Sequence, residues 1–285
     1  MSTGRAPGRV QAYIERELLR GPLHFTLLDP DKQSPAEAAA LAQAAAEAGS
    51  HAIMVGGSTG LSMSLVDETV GAIKKVVNLP VILFPPGAQG ISARADAVFW
   101  MTMLNSRSRR YLIDEQRRGA LWVKRLGLEP IPMAYLVVEP GGKVGEVGEA
   151  DLLRRDDPDA AIGYALAAQY FGMSFVYLEA GSGAEEPVPL EIVQAVKAEI
   201  DIPLIVGGGV RSADAARRLL EAGADIIVTG TLIERVVDVR STLAEFLDYF
   251  RKVMRERMER LGVDIGGREG EPEHGRFRRD EDAGA

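Results

Sequence analysis

Leu204-Ile205-Val206-Gly207-Gly208-Gly209 is a short apolar run that opens into three glycines, and Asp225-Ile226-Ile227-Val228-Thr229-Gly230-Thr231 repeats the pattern one unit further on. Each run reads as a strand, and a helix-like segment follows each. Two consecutive strands that end in small residues suit the phosphate site of a (β/α)8 barrel, which lies at the mouth after strands 7 and 8. Glycine lets the main chain come close to an anion, and backbone N–H groups bind it. Ser212 reads as the N-cap of the next helix, Ala213 to Ala222, whose N-terminus then faces the anion. A dinucleotide fingerprint would need glycine at 212, so that reading is set aside. A tight turn without a ligand remains the alternative.

Working outward, strand-like runs alternate with helical patterns, as expected for βα units around a parallel sheet. The runs are Leu23–Leu28, His51–Val55, Val81–Phe84, Ala97–Met103, Ile131–Val138, Ser174–Leu178, Leu204–Val206 and Asp225–Val228. Helices are expected at Pro35–Ala48, Ser62–Val77, Arg107–Leu126, Pro158–Phe171, Leu190–Ile200 and Ala213–Ala222. The first of these opens on a capping box, Ser34 with Glu37, and stops at Gly49. Between strands 3 and 4 stands Pro85-Pro86-Gly87-Ala88-Gln89-Gly90 with a few more residues, too little for a crossover helix. The expected fold is therefore an α/β TIM (β/α)8 barrel whose third unit lacks its helix. One barrel domain is expected over 1–262, closed by an amphipathic helix from Ser241 to about Leu261. Residues 263–285 read as a disordered charged tail.

Composition narrows the class. The 285 residues carry a formal net charge of −8, which argues against nucleic acid as a partner. With no cysteine, disulfides and thiolate metal sites are excluded, and a reducing cytoplasm is the expected location. No run is long and apolar enough to span a membrane, and Met1–Val10 has no apolar core of a signal peptide.

Polar residues gather at the C-terminal ends of the strands, the face where barrel enzymes keep their sites. They are Asp29, Gly56-Gly57-Ser58-Thr59, Asn105-Ser106, Glu139, Glu179 and the two glycine turns. Asp29 supplies a carboxylate for an oxygen-ligated metal, with Mg²⁺ on a substrate phosphate the natural choice. Asp31 and Lys32 read as a solvent-paired loop start. Tyr177-Leu178-Glu179-Ala180-Gly181-Ser182-Gly183 puts an acid at a strand end beside an anion-binding turn, either as a base or cation stabiliser or as a solvated loop acid. His24 and His51 sit at strand starts and His274 in the tail, so none is a candidate catalyst.

In these motifs the chain resembles the geranylgeranylglyceryl phosphate synthase family, which includes the bacterial heptaprenylglyceryl phosphate synthases. The resemblance rests on Leu28-Asp29-Pro30-Asp31-Lys32, Gly56-Gly57-Ser58, Tyr177 to Gly183, Gly207-Gly208-Gly209 and Gly230-Thr231, all in order. The absent third helix matches as well. The resemblance implies an enzyme that joins the 3-hydroxyl of sn-glycerol 1-phosphate to a polyprenyl diphosphate, geranylgeranyl diphosphate first among them. It implies Mg²⁺ at Asp29 and Ser58, and glycerol phosphate at Tyr177, Leu178, Glu179, Ala180, Gly181, Ser182, Gly183, Gly208, Gly209, Gly230 and Thr231. Glu179 and Tyr177 would be catalytic, with Glu179 taking the hydroxyl proton, and the chain would form dimers or hexamers. Val81–Phe84, Phe99 and Trp100 are expected to line a prenyl channel or else to serve as core or subunit interface. Part of the family has a lysine two residues before the strand-1 aspartate. Here that position is Leu27, which groups the chain with the archaeal-like members. A sugar-phosphate isomerase or synthase, or a phosphate-binding barrel without catalysis, would share the glycine turns but would not need Asp29 or an apolar channel.

Overall fold

Eight parallel strands pair in sequence order, and the last pairs with the first to close a barrel. They are β1 (Leu23–Leu28), β2 (Ala52–Val55), β3 (Val81–Leu83), β4 (Ala97–Met103), β5 (Glu129–Val137), β6 (Phe175–Glu179), β7 (Leu204–Gly207) and β8 (Ile226–Thr229). The computed structural model describes residues 7–57, 62–230, 244, 246–250 and 252. The expected C-terminal helix is represented by the helical residues 246–250, while the tail at 263–285 lies outside the described residues.

Alternation along each strand sorts side chains into two layers. Phe25, Met54, Ile82, Phe99, Tyr135, Tyr177, Ile205 and Val228 fill the interior. Leu28, Val55, Leu83, Leu136, Leu178 and Val206 pack outward, in the larger core that also takes in buried residues of the helices. Helices α2 (Pro35–Ala48), α3 (Met63–Ile73), α4 (Glu115–Leu126), α6 (Pro158–Tyr170), α7 (Leu190–Glu199) and α8 (Ala213–Glu221) lie between strands near their expected positions. Gly49 ends α2 in the left-handed conformation, and the capping box of Ser34 and Glu37 is formed. Only a short 3₁₀ turn, Ala88–Gly90, stands between β3 and β4, so the third unit does lack its helix.

The sequence reading misses two helices. α1 (Arg9–Leu18) places Val10, Tyr13 and Ile14 with the interior cluster, plugging the barrel. Its N-terminus is capped from far along the chain: Glu129 accepts from the amides of Val10 (2.8 Å) and Gln11 (2.9 Å). The carboxylate packs directly on the bare backbone of Gly8, where an added Cβ would displace it. The second, α5 (Gly142–Val147), lies in the β5–β6 connection after the cis peptide Glu139–Pro140. The helix expected over Arg107–Leu126 begins instead as a π turn, Arg110–Asp114, and becomes regular only at Glu115.

Removing the distant cap is expected to loosen the plug. Glu129→Ala should cost about 1 kcal/mol in urea unfolding, the worth of an N-cap. An unchanged midpoint would mean that α1 does not depend on that carboxylate.

Candidate active site

Glu179 is the last residue of β6, and β-alternation aims it into the barrel with Tyr177 and Phe175. It is only 6% exposed. The Gly181 amide donates to its Oε1 at 2.7 Å, and the Tyr135 hydroxyl donates to its Oε2 at 3.2 Å. Tyr177 also hydrogen-bonds to this carboxyl. Burial raises the Glu179 pKa above the ordinary carboxylate range, while the hydrogen bonds from Gly181, Tyr135 and Tyr177 oppose the rise. Burial, and next the nearby Glu179, drive both tyrosine pKa values far up, so the hydroxyls remain donors.

Glycine makes room for this carboxylate. Gly208 has φ +77°, and a Cβ there would strike Glu179 Oε1. A Cβ on Gly207 would strike the Tyr177 hydroxyl. Gly208, Gly209, Ser182, Gly183, Thr229 and Gly230 line a pocket of about 430 Å³ that Glu179 and Tyr177 also border. Arg211 completes its wall and donates to the Gly183 carbonyl at 2.6 Å, bridging the loops after β6 and β7. The sequence reading had no basic residue for this site. Arg211 directly follows the glycine turn and precedes the α8 N-cap, a position that could have suggested it.

Glu179, Ser182 and Gly230 also border a second, larger cleft of about 790 Å³, so the two spaces meet at the carboxylate. Asp29, Lys32, Gly56 and Gly57 line its polar side. Asp29 Oδ1 accepts from the Asp31 amide at 3.1 Å, and Lys32 Nζ lies 3.8 Å from Oδ2. Gly57 packs so closely on Asp29 that a Cβ would overlap the carboxylate. Phe84, Met101, Met103, Tyr111, Tyr135 and Val144 form the apolar side. There the cleft continues past Pro85, Pro86, Met101, Met103 and Tyr111 into an apolar space of about 490 Å³ that includes Phe99, Trp100 and Gly119. This space borders the short connection that stands where the third helix would be.

Several expected positions resolve differently. Phe84, Phe99 and Trp100 line the clefts, but Val81, Ile82 and Leu83 are buried core and line none of them. Leu178 and Ala180 pack in the outer core, so only their main chains face the site. Asn105 is spent on backbone: its amide nitrogen donates to the carbonyls of Val137 and Asp151, and its oxygen accepts from the Val137 amide. Ser106 donates to the Gly148 carbonyl, and Glu139 is engaged by Arg155. All three brace loops and do not line the clefts, because a strand-end position does not say which way a side chain points. Ser58, Thr59 and Thr231 lie outside the described residues.

Metal would find a sparse site. Among the described residues no three His, Cys, Asp or Glu side chains gather. Among the described residues of the polar wall, Asp29 supplies the carboxylate, which fits an ion such as Mg²⁺ that takes one or two carboxylates plus substrate phosphate.

Known proteins share both the sequence and the shape. The model of the PcrB family matches residues 13–248. The geranylgeranylglyceryl phosphate synthase of Thermococcus kodakarensis is 52% identical over 260 residues, covering 91% of this chain and 98% of that protein. The enzyme of the same name from Pyrococcus horikoshii is 55% identical over 228 residues, covering 80% and 90%. Among solved structures, (S)-3-O-geranylgeranylglyceryl phosphate synthase from Thermoplasma acidophilum, in complex with its substrate sn-glycerol-1-phosphate, superposes with a TM-score of 0.83. Its identity is 47%, and the match covers 86% of this chain and 99% of that one.

Burial of Glu179 has a measurable consequence for stability. With its folded-state pKa above the unfolded one, the folded chain holds a proton that the unfolded chain releases. Its contribution is therefore intact below the unfolded pKa and is lost as pH rises through the folded pKa. Glu179→Gln should be more stable than the parent at about pH 8, with the gain fading below the ordinary carboxylate range. Equal urea midpoints at the alkaline pH would show that burial does not penalise the carboxylate.

Proposed function

The chain belongs to the PcrB family and is a prenyltransferase, and we propose that the two spaces meeting at Glu179 divide its substrates between them. The glycine pocket takes sn-glycerol 1-phosphate. The larger cleft takes a polyprenyl diphosphate, geranylgeranyl diphosphate first among them, with diphosphate at the polar wall and prenyl chain along the apolar branch. The observation that carries this reading is the position of a buried carboxylate on the border of both spaces.

The residues support a definite order of events. Main-chain N–H groups around Gly208, Gly209 and Gly230 bind the phosphate, Arg211 adds the cation that backbone alone lacks, and Thr231, next in sequence, would join them. Main chain from Tyr177 through Gly183 shapes the glycerol end. Asp29, with Ser58, would hold Mg²⁺, and Lys32 faces the same cleft. When bound, Mg²⁺ neutralises charge on the diphosphate and eases its departure. The bond from prenyl C1 to the diphosphate oxygen then breaks, and the electron pair leaves with diphosphate. The glycerol 3-oxygen forms the new bond to C1, and its proton passes to the Glu179 carboxylate. Tyr135 and Tyr177 fix that carboxylate toward the hydroxyl. Phe84 stacks on Tyr177 at 5.6 Å, and Tyr135 lies within 5.4 Å of both. These ring faces, together with the carboxylate, favour positive charge developing on the allylic carbon.

Two further parts of the reading concern assembly and location. A dimer or hexamer fits the exposed Ile113, Leu121 and Trp122 on and beside α4, and Tyr170 and Phe171 at the end of α6, apolar surface of the kind subunits cover. Among the described residues no helix is long and apolar enough to cross a membrane. That suits a cytoplasmic enzyme acting on an amphiphilic substrate.

Incubating the chain with sn-glycerol 1-phosphate and a mixture of prenyl diphosphates, then weighing the product by mass spectrometry, tests the pairing. Glu179→Gln should bind sn-glycerol 1-phosphate in calorimetry yet lose roughly 10²–10⁴-fold in turnover, the usual worth of a general base. Near-normal turnover would remove Glu179 from the chemistry. Asp29→Asn should move the Mg²⁺ titration of activity to higher concentration, and an unchanged titration would remove the metal from Asp29.

A further inference from the structure

His24 is fully buried on the outer side of β1, and its ring connects parts of the molecule that are far apart in sequence. Its Nε2 lies 2.8 Å from the Thr229 hydroxyl, and its Nδ1 lies 3.1 Å from the Ser50 hydroxyl. Ser50 is in turn 3.0 Å from the Thr26 hydroxyl. Phe246 and Phe250, from the helical segment after the second glycine turn, close over the imidazole with ring centroids 5.4 and 5.9 Å away. Burial, with His51 nearby, lowers the His24 pKa to about 3, so the ring is neutral and joins one hydroxyl as donor and the other as acceptor.

Thr229 is the last residue of β8 and adjoins Gly230, and both line the glycine pocket. A histidine without access to substrate thus holds the residue on which the second phosphate turn is hinged. We infer that His24 is a positioning residue for glycerol-phosphate binding, fixing Thr229 and through it the Gly230 turn, with the helical segment at 246–250 as its clamp. Polar groups in an outer core layer cost stability unless paired, and an apolar side chain would pack against Phe246 and Phe250 as well. What an apolar residue cannot supply is a directed bond to Thr229. The inference rests on the reading that the glycine pocket holds the phosphate of sn-glycerol 1-phosphate.

The test measures sn-glycerol 1-phosphate binding by isothermal titration calorimetry in the full chain. His24→Leu keeps bulk and removes both hydrogen bonds. Thr229→Val removes only the hydroxyl and so serves where the first variant folds poorly. Each should weaken binding roughly fivefold, the worth of one lost hydrogen bond. The double variant should be no worse than the weaker single, and His24→Gln should restore part of the affinity. The KM for prenyl diphosphate should stay at the parent value. Val70→Ala, in the core at α3, controls for lost stability and should leave affinity alone. Parent affinity in both His24→Leu and Thr229→Val, at whatever melting temperature, would overturn the positioning role. Gly208→Ala separates the two levels: if it too binds like the parent, the site reading fails, and the inference with it. If it alone loses binding, only the inference fails.

Discussion

The Glu179 carboxylate sits inside the barrel among aromatic rings, where an isolated charge is costly and where three hydrogen-bond donors converge to hold it. Much of the mouth is arranged around that carboxylate. Gly208 must lack a side chain to clear one oxygen, and Gly207 must lack one to clear the Tyr177 hydroxyl. Gly181, with φ +105°, turns its amide onto the acid while pressing on Gly141 at the start of α5. The glycines of the site clear room for the acid, and in the proposed reading the same bared backbone would also meet the phosphate. Raised by burial, the carboxyl is a stronger base than an exposed one, at the expense of stability at neutral and alkaline pH.

In the proposed reading, position on the barrel separates the two kinds of anion. The glycine turns that would take the phosphate follow β7 and β8, whereas Asp29 and Gly57 follow β1 and β2, and Glu179 lies on the border between the two spaces. An apolar branch can open beside the second site because the connection after β3 is short. The Ala88–Gly90 turn leaves Phe99 and Trp100 of β4 uncovered by the helix that a complete barrel would place there. Under the proposed function, this defect in the repeat is what would give the isoprenoid chain its channel.

Most of the barrel was legible because each strand is an apolar run bounded by turn residues, and because the third connection is visibly too short. What escaped was non-local. The start of α1 carries no capping side chain of its own, and its cap is Glu129, 118 residues away from Gln11. α5 is only six residues long, two of them glycine, and lacks a periodic apolar face. In the site, Glu179 and Asp29 were legible as acids at strand ends, but that same rule also drew in Asn105, Ser106 and Glu139, whose side chains turn to backbone and loops. Tyr135 was missed although it alternates with Met133 and Val137, an inward-facing register that strand periodicity alone exposes. Arg211 was missed because its role depends on the Gly183 carbonyl, which only the folded loops bring near.

A crystal structure of the chain with sn-glycerol 1-phosphate and a non-hydrolysable prenyl thiodiphosphate tests the division of the barrel mouth most directly. The account predicts phosphate at Gly208, Gly209 and Gly230, the thiodiphosphate beside Asp29, the prenyl chain against Phe99 and Trp100, and the glycerol 3-oxygen within hydrogen-bond reach of Glu179. Anions in exchanged positions, or a 3-oxygen remote from Glu179, would contradict it.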